Sequence, residues 1–317
     1  MTRMPLVSIC IYSCDPADFV LDTLDSIAMQ TYAELELVII DNASSYECRN
    51  IINSWLYQHR SRFRKVVFTR YDTREAALVV AADLIQTAEG TFVSLLTAGS
   101  LLLPDKISEQ VAVFAELEQT GIPYGVVYGN AALTDHPATT SFDNFKKTDP
   151  DWKPQQGFVF ENMMQAPLFY IEAALLRRSV FPPYRYFTKA GIIDVHWYLL
   201  LVTTRKHAVY GIDRVCVQCR DQGYANPFAG VNTVADDPAK IEVLQKLYSF
   251  PGNSGKEKKY IVHRIINLLY HYTTLPGTGY GNIMSTWLST YPYLRLGVLL
   301  RLLLYIHWFR MYRSVRT

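Results

Sequence analysis

The chain of 317 residues is short of several features that would assign a protein at sight. Its most apolar region, near the C-terminus, is uninterrupted only over residues 302–309, far less than the roughly 20 residues that cross a bilayer. Residues Met1 to Pro5 lead directly into a strand pattern, with no charged head, apolar run or small-residue cleavage site, so a secretory signal is not expected. Five cysteines (Cys10, Cys14, Cys48, Cys216 and Cys219) are too few for a disulfide scaffold and suit a reducing compartment. A formal charge of +2 gives no argument for a nucleic-acid partner. Internal repeats and low-complexity tracts are absent.

The composition favours a packed fold. Half of the residues are hydrophobic and 19% are charged, which excludes wholesale disorder and allows one large domain or two modest ones. Leu6–Tyr12, Leu35–Ile40, Lys65–Phe68 and Thr91–Leu96 read as buried strands, separated by helices at about 18–30, around Ile51–Leu56 and at Ala76–Ala88. This alternation predicts a doubly wound, mostly parallel α/β sheet whose ligands gather at the strands' carboxyl ends. Tyr124–Tyr128 and Ala208–Arg220 supply further strands, 192–203 a helix, and 130–160 a long polar loop suited to covering a site. From 236 onward the pattern is helical. Cys216-x-x-Cys219 has metal-ligand spacing, but it lies in a strand with no second Cys/His pair nearby, so both read as buried thiols.

In Phe92–Lys106 an apolar strand ends in the turn Thr97-Ala98-Gly99-Ser100, and a helix opens at Pro104. Together with Val7–Asp15, Leu24-Asp-Ser-Ile-Ala-Met-Gln-Thr-Tyr32, Glu36–Ser44 and Ala88–Phe92, this order resembles the inverting family-two glycosyltransferases of GT-A fold. In that family the turn after the fourth strand carries an Asp-x-Asp or Asp-Asp pair that holds a divalent cation against the donor diphosphate. Here the turn contains no carboxylate, and Ala81 and Ala82 stand roughly where the family has Arg-Asn.

The resemblance implies roles residue by residue. Asp41 and Asn42 would hold the base of a nucleotide-sugar donor, with Tyr12, Ser13 and Thr97 shaping the nucleotide pocket. Asp41 is equally suited to an Asx turn closing its strand. Asp194, in Gly191–Leu200, would be the base that takes the acceptor's proton; a helix N-terminal Asp meeting the macrodipole is the alternative. His196 reads as structural or acceptor-facing. With no metal or other cofactor expected, Arg220 and Arg74 would meet the diphosphate, with Lys106 and Lys189 as looser candidates. The competing reading is a catalytically inactive scaffold that partners an active transferase.

The expected divisions are 1–110 for the nucleotide-sugar half, 111–235 for the acceptor half and 236–317 for a helical C-terminal extension. Within the last, Tyr293–Arg316 alternates apolar residues with arginine. It suits an interfacial helix on an anionic membrane, or a helix packed on the domain or on a second copy of the chain. The expected acceptor is a glycan or lipid-linked glycan of the bacterial surface, made at the inner face of the cytoplasmic membrane. Oligomeric state is left open.

Overall fold

The computed structural model describes residues 4–15, 19–134, 152–165, 167–187, 195–220, 237–250 and 252–274. The first compact unit is built from residues 1–191 and 195–230. Its elements are β1 (Val7–Ser13), α1 (Val20–Ala28), β2 (Leu35–Asn42), α2 (Tyr46–His59), β3 (Lys65–Tyr71), α3 (Ala77–Thr87), β4 (Phe92–Thr97), β5 (Leu101–Leu102) and α4 (Lys106–Leu117). They continue with β6 (Tyr124–Thr134), β7 (Gln156–Gly157), α5 (Phe160–Met163), β8 (Ala174–Arg177), α6 (Val195–Thr204) and β9 (Ala208–Arg220).

Among the described residues the strands form one nine-stranded sheet in the order β3-β2-β1-β4-β8-β6-β9-β5, with β7 paired to β9. β1 to β4, β6 and β9 run in one direction; the short strands β5, β7 and β8 run against them. The expected mostly parallel sheet is therefore present, with three antiparallel additions that periodicity did not separate. β5 and β7 hold two residues each and β8 four, too few to show an alternation. β6 also extends through 130–134, so the expected loop is shorter at that end. Residues 135–151, its centre, lie outside the described residues.

β1 and β2 are buried at every position, which explains their unbroken apolar runs. α3 lies close on them because Ala81 and Ala82 keep its sheet-facing side thin. α6 is buried at all ten positions, the pattern of a helix enclosed on every side. Cys216 packs against Gly129, where a Cβ would come within 2.3 Å of its sulfur. Both Cys216 and Cys219 are buried free thiols, as the strand reading implied.

The residues of Leu24–Tyr32 have a mechanical role. Ser26 Oγ accepts the Leu102 N–H at 3.1 Å, and Gln30 donates to Leu103 O at 2.8 Å while accepting the Ile107 N–H at 3.3 Å. Thr31 N donates to Pro104 O at 3.0 Å, and Tyr32 OH to Pro5 O at 2.6 Å. The end of α1 is thus a splint for the segment that follows the β4 turn.

The second unit is described by α7 (Asp237–Tyr248) and α8 (Gly255–Thr274), which pack on each other. Ile241, Leu244 and Leu247 are buried, as are Ile261, Ile265, Leu268 and Leu269. Asn253 Nδ2 closes the end of α7 on Leu247 O and Tyr248 O. Ser254 and Glu257 exchange bonds between backbone N–H and side chain, a capping box that opens α8. No helix among the described residues is long and apolar enough to cross a membrane. The arginine-rich tail at 293–316 lies outside them.

Replacing Gln30 by Ala would leave the buried Ile107 amide without a partner and take one of two donors from Leu103 O. We expect a loss of about 2 kcal/mol of stability, measured by urea unfolding; an unchanged midpoint would contradict the splint.

Candidate active site

The strand order reverses between β1 and β4: the chain proceeds from β1 outward through β2 and β3, then returns to the other side of β1. Such a switch point opens a crevice at the carboxyl ends of the strands. The register places Ser13 beside Asp41 and Tyr12 beside Thr97. Five of the expected donor-site residues, Tyr12, Ser13, Asp41, Asn42 and Thr97, therefore meet at this edge.

Their side chains divide the work unequally. Asp41 Oδ1 accepts the Ser44 N–H at 3.1 Å, the expected Asx turn. Asp41 Oδ2 is buried and accepts no hydrogen bond, with Arg70 Nε 3.9 Å away. Asn42 donates to Tyr12 OH and Glu75 O, each at 3.0 Å, and accepts the Glu75 N–H at 2.8 Å. Its amide is occupied in tying the loop after β3 to the sheet. Burial pushes the Tyr12 phenol up to about 12, so it stays protonated. Ser13 is fully buried with its hydroxyl 3.8 Å from Cys48 Sγ, which sets it behind the pocket rather than on its wall.

Two residues beyond these strand ends, Asp15 and Ala43, hold a left-handed φ of +58°, unusual for residues other than glycine. Cross-bracing holds them there. Asp15 N donates to Ser44 Oγ at 2.8 Å, and Ser45 N donates to Asp15 Oδ1 at 2.8 Å. Arg74 joins this edge through Asp15 at 3.3 Å, an exposed pair of small energetic weight.

The turn after β4 is closed from within. Its hydroxyls point to a carboxylate from a distant segment, Glu172 on the 3₁₀ turn Ile171–Ala173. Gly99 has φ +117°, a conformation that disfavours any side chain. Ala98 and Gly99 offer no side-chain ligand atom, and the hydroxyls of Thr97 and Ser100 both donate to Glu172. These residues do not fit a divalent cation, which needs several free oxygen ligands. Among the described residues no group of three or more His, Cys, Asp and Glu side chains gathers.

Lys106 is not at the crevice. It is buried beneath the sheet, donating to Ser94 Oγ at 2.8 Å and Ala174 O at 3.0 Å, and burial lowers its pKa to about 8. The looser diphosphate role expected of it is corrected: the ammonium is enclosed on the far side of β4. His196 is buried and accepts the Ile171 N–H at 3.1 Å through Nε2, a structural position. Asp194 and Lys189 lie outside the described residues. Arg220 ends β9, where the antiparallel register pairs Leu101 with Gln218. Arg220 lies two residues past Gln218, on the strand that pairs with the segment following the turn.

The glycosyl transferase family 2 model matches residues 7–181, more than half of the chain. The chain belongs to this family. It is similar to the putative teichuronic acid biosynthesis glycosyltransferase TuaG of Bacillus subtilis (strain 168), 25% identical over 112 residues. That match covers 35% of this chain and 43% of TuaG. Protein CgeD of the same organism is 26% identical over 122 residues, 37% of this chain and 28% of that protein. The matched segments thus span less than half the length of either relative.

Solved structures agree on the fold. S. aureus TarS 1–349 covers 94% of this chain and 80% of its own, with TM-score 0.59 and 10% identity. The mannosyltransferase PcManGT from Pyrobaculum calidifontis, in complex with GDP-Man and Mn²⁺, covers 99% and 83%, with TM-score 0.54 and 18% identity. The chain therefore has the GT-A fold, a mostly parallel sheet flanked by helices.

Sequence reasoning missed two residues of this candidate site. Glu172 is some 70 positions from the turn it serves and follows no motif; only a lone acidic residue between Ile171 and Ala173 in a buried stretch hinted at it. Arg70 is the penultimate residue of β3, and the register that pairs it with Asp41 became visible only with the sheet assembled.

His196 makes a pH test. Burial lowers its pKa from 6.5 to about 4, so between these values the unfolded chain binds the extra proton and stability falls as pH falls. The site contributes a loss of up to about 3 kcal/mol on acidification to pH 4. Urea midpoints at pH 7 and 4.5 should differ less in His196→Gln than in the parent; identical pH dependence would refute the assignment.

Proposed function

We propose that this glycosyltransferase is an inverting, metal-independent enzyme that moves a sugar from a nucleoside diphosphate donor to a growing bacterial cell-envelope glycan. The observation that carries the reading is the β4 turn, whose hydroxyls and amides are all engaged by protein groups at the place where the family holds its cation. The charge of the leaving diphosphate then has to be met by the chain's own cations. Arg220, at the end of the strand that pairs with the segment after the turn, is the cation we assign to it, since guanidinium pairs bidentately with phosphate oxygens. Arg74, on the crevice edge, is the second cation.

Asp41 is the base-recognition residue of its pair. Its unpaired Oδ2 is a buried acceptor waiting for a ring N–H, with the Arg70 guanidinium beside it to meet a neighbouring carbonyl. Asn42 and Tyr12 hold the loop that bounds the nucleoside. TarS structures contain UDP and UDP-GlcNAc, and TuaG is named for teichuronic acid synthesis; both support a nucleotide-sugar donor and an envelope-glycan acceptor.

In the transfer, the Asp194 carboxylate takes the proton of the acceptor hydroxyl. The acceptor oxygen bonds to the anomeric carbon from the face opposite the diphosphate. The carbon–oxygen bond to the diphosphate breaks, its electron pair stays on the phosphate oxygen, and Arg220 neutralises the charge. Configuration at the anomeric carbon is thereby inverted. The tail at 293–316 would lie on the inner face of the cytoplasmic membrane, bringing the cleft to a lipid-linked acceptor.

Asp194→Asn should lower kcat by at least about 1,000-fold and Arg220→Ala by about 100-fold, read as nucleotide release from donor sugars in the presence of acceptor. Wild-type turnover in either variant would remove that residue from the mechanism. In liposome flotation with anionic vesicles, the full chain should float and a chain ending at Tyr291 should not; equal flotation would remove the anchoring role.

A further inference from the structure

Glu172 is fully buried, yet its carboxylate reaches the turn after β4. Its Oε1 accepts the Thr97 N–H at 2.9 Å, the Thr97 hydroxyl at 2.5 Å and the Ser100 hydroxyl at 2.9 Å. Its Oε2 accepts the Cys219 thiol at 3.0 Å. Burial and the carboxylate itself keep that thiol protonated, so it donates. The remaining amides of the turn are also taken. Ala98 N donates to Tyr12 O at 2.9 Å, Gly99 N to Thr23 Oγ1 at 2.7 Å and Ser100 N to Thr97 O at 3.1 Å.

The turn is therefore saturated by groups of β1, α1 and the 3₁₀ turn 171–173 before any ligand arrives. A carboxylate suits this place because it has acceptor sites for several donors at once, and charge-assisted bonds are roughly twice as strong as neutral ones. Lys106 lies on Ala174 O, two residues along the chain, and supplies a buried counter-charge without occupying the carboxylate.

We propose that Glu172 is a positioning residue for sugar transfer, fixing the turn 97–100 from inside the protein so that the floor of the diphosphate subsite is set before the donor binds. In the wider family an ion on outward carboxylates joins the turn to the donor; here an inward carboxylate joins it to the fold. The proposal rests on the transferase reading above.

The test uses the full chain and three variants. Glu172→Ala should lower kcat by about 100-fold, because a displacement near 1 Å at the reacting centre has that effect, while donor KM stays within about threefold because Asp41 still holds the base. Glu172→Gln keeps an acceptor oxygen and should return to within about fivefold of wild type. Ser100→Ala removes one donor and should cost about fivefold in kcat with an unchanged melting temperature. Amide hydrogen exchange over 97–102, with neither nucleotide nor divalent cation present, gives a readout independent of turnover. The segment should be protected in wild type and Glu172→Gln, and should exchange at least about tenfold faster in Glu172→Ala while β2 is unaffected.

Wild-type kcat in Glu172→Ala would overturn the proposal. So would a loss of kcat that only follows the folded fraction, with Gln no better than Ala. Fast exchange of the wild-type turn until nucleotide and divalent cation are both added would overturn it as well. If the wild type turns over no donor, the transferase reading fails separately, and the exchange measurement still decides whether Glu172 holds the turn.

Discussion

Burying a carboxylate costs several kcal/mol unless enough donors meet it. Around Glu172 that requirement organises the donor end of the molecule. Four hydrogen bonds reach its two oxygens, from the end of β4, from Ser100 and from β9. These segments are far apart in sequence, so the carboxylate joins β4 and its turn to β9. A turn held this way presents no side-chain carboxylate, and both of its hydroxyls are turned inward to Glu172.

The surrounding structure serves the same end. The end of α1 splints residues 102–107 through Ser26, Gln30 and Thr31, and Thr23 holds Gly99. On the other side of the crevice, Asp15, Ser44 and Ser45 brace the ends of β1 and β2 against each other, while Asn42 fixes the loop after β3. Against this background of satisfied groups, Asp41 Oδ2 stands out as a buried acceptor without a donor. Unsatisfied buried groups are rare enough to require an explanation, and a ligand's N–H is the one the site's position suggests.

The parallel half of the fold was legible in the sequence because strands buried on both faces read as apolar runs, and β1, β2 and β4 are such strands. The family resemblance located the crevice through Leu24–Tyr32 and Glu36–Ser44, but it did not say what those residues do. Ser26 and Gln30 prove to be braces, and Asn42 a tie for a loop. β5, β7 and β8 were hidden because segments of two to four residues leave no periodicity. Lys106 read as a looser candidate for the diphosphate, and only its contacts to Ser94 and Ala174 showed it enclosed. Glu172 was invisible for the opposite reason: a single acidic residue has no pattern, and its meaning lies wholly in what the fold brings to it.

The account's central claim is that the donor end binds a nucleoside diphosphate without an ion. Isothermal titration of the full chain with UDP and with GDP, once with excess chelator and once with Mn²⁺, tests it most directly. The claim predicts that at least one nucleotide binds, with affinities in the two conditions within about twofold, or about 0.4 kcal/mol. Binding that appears only with Mn²⁺, or tightens with it by about tenfold or more, would contradict it.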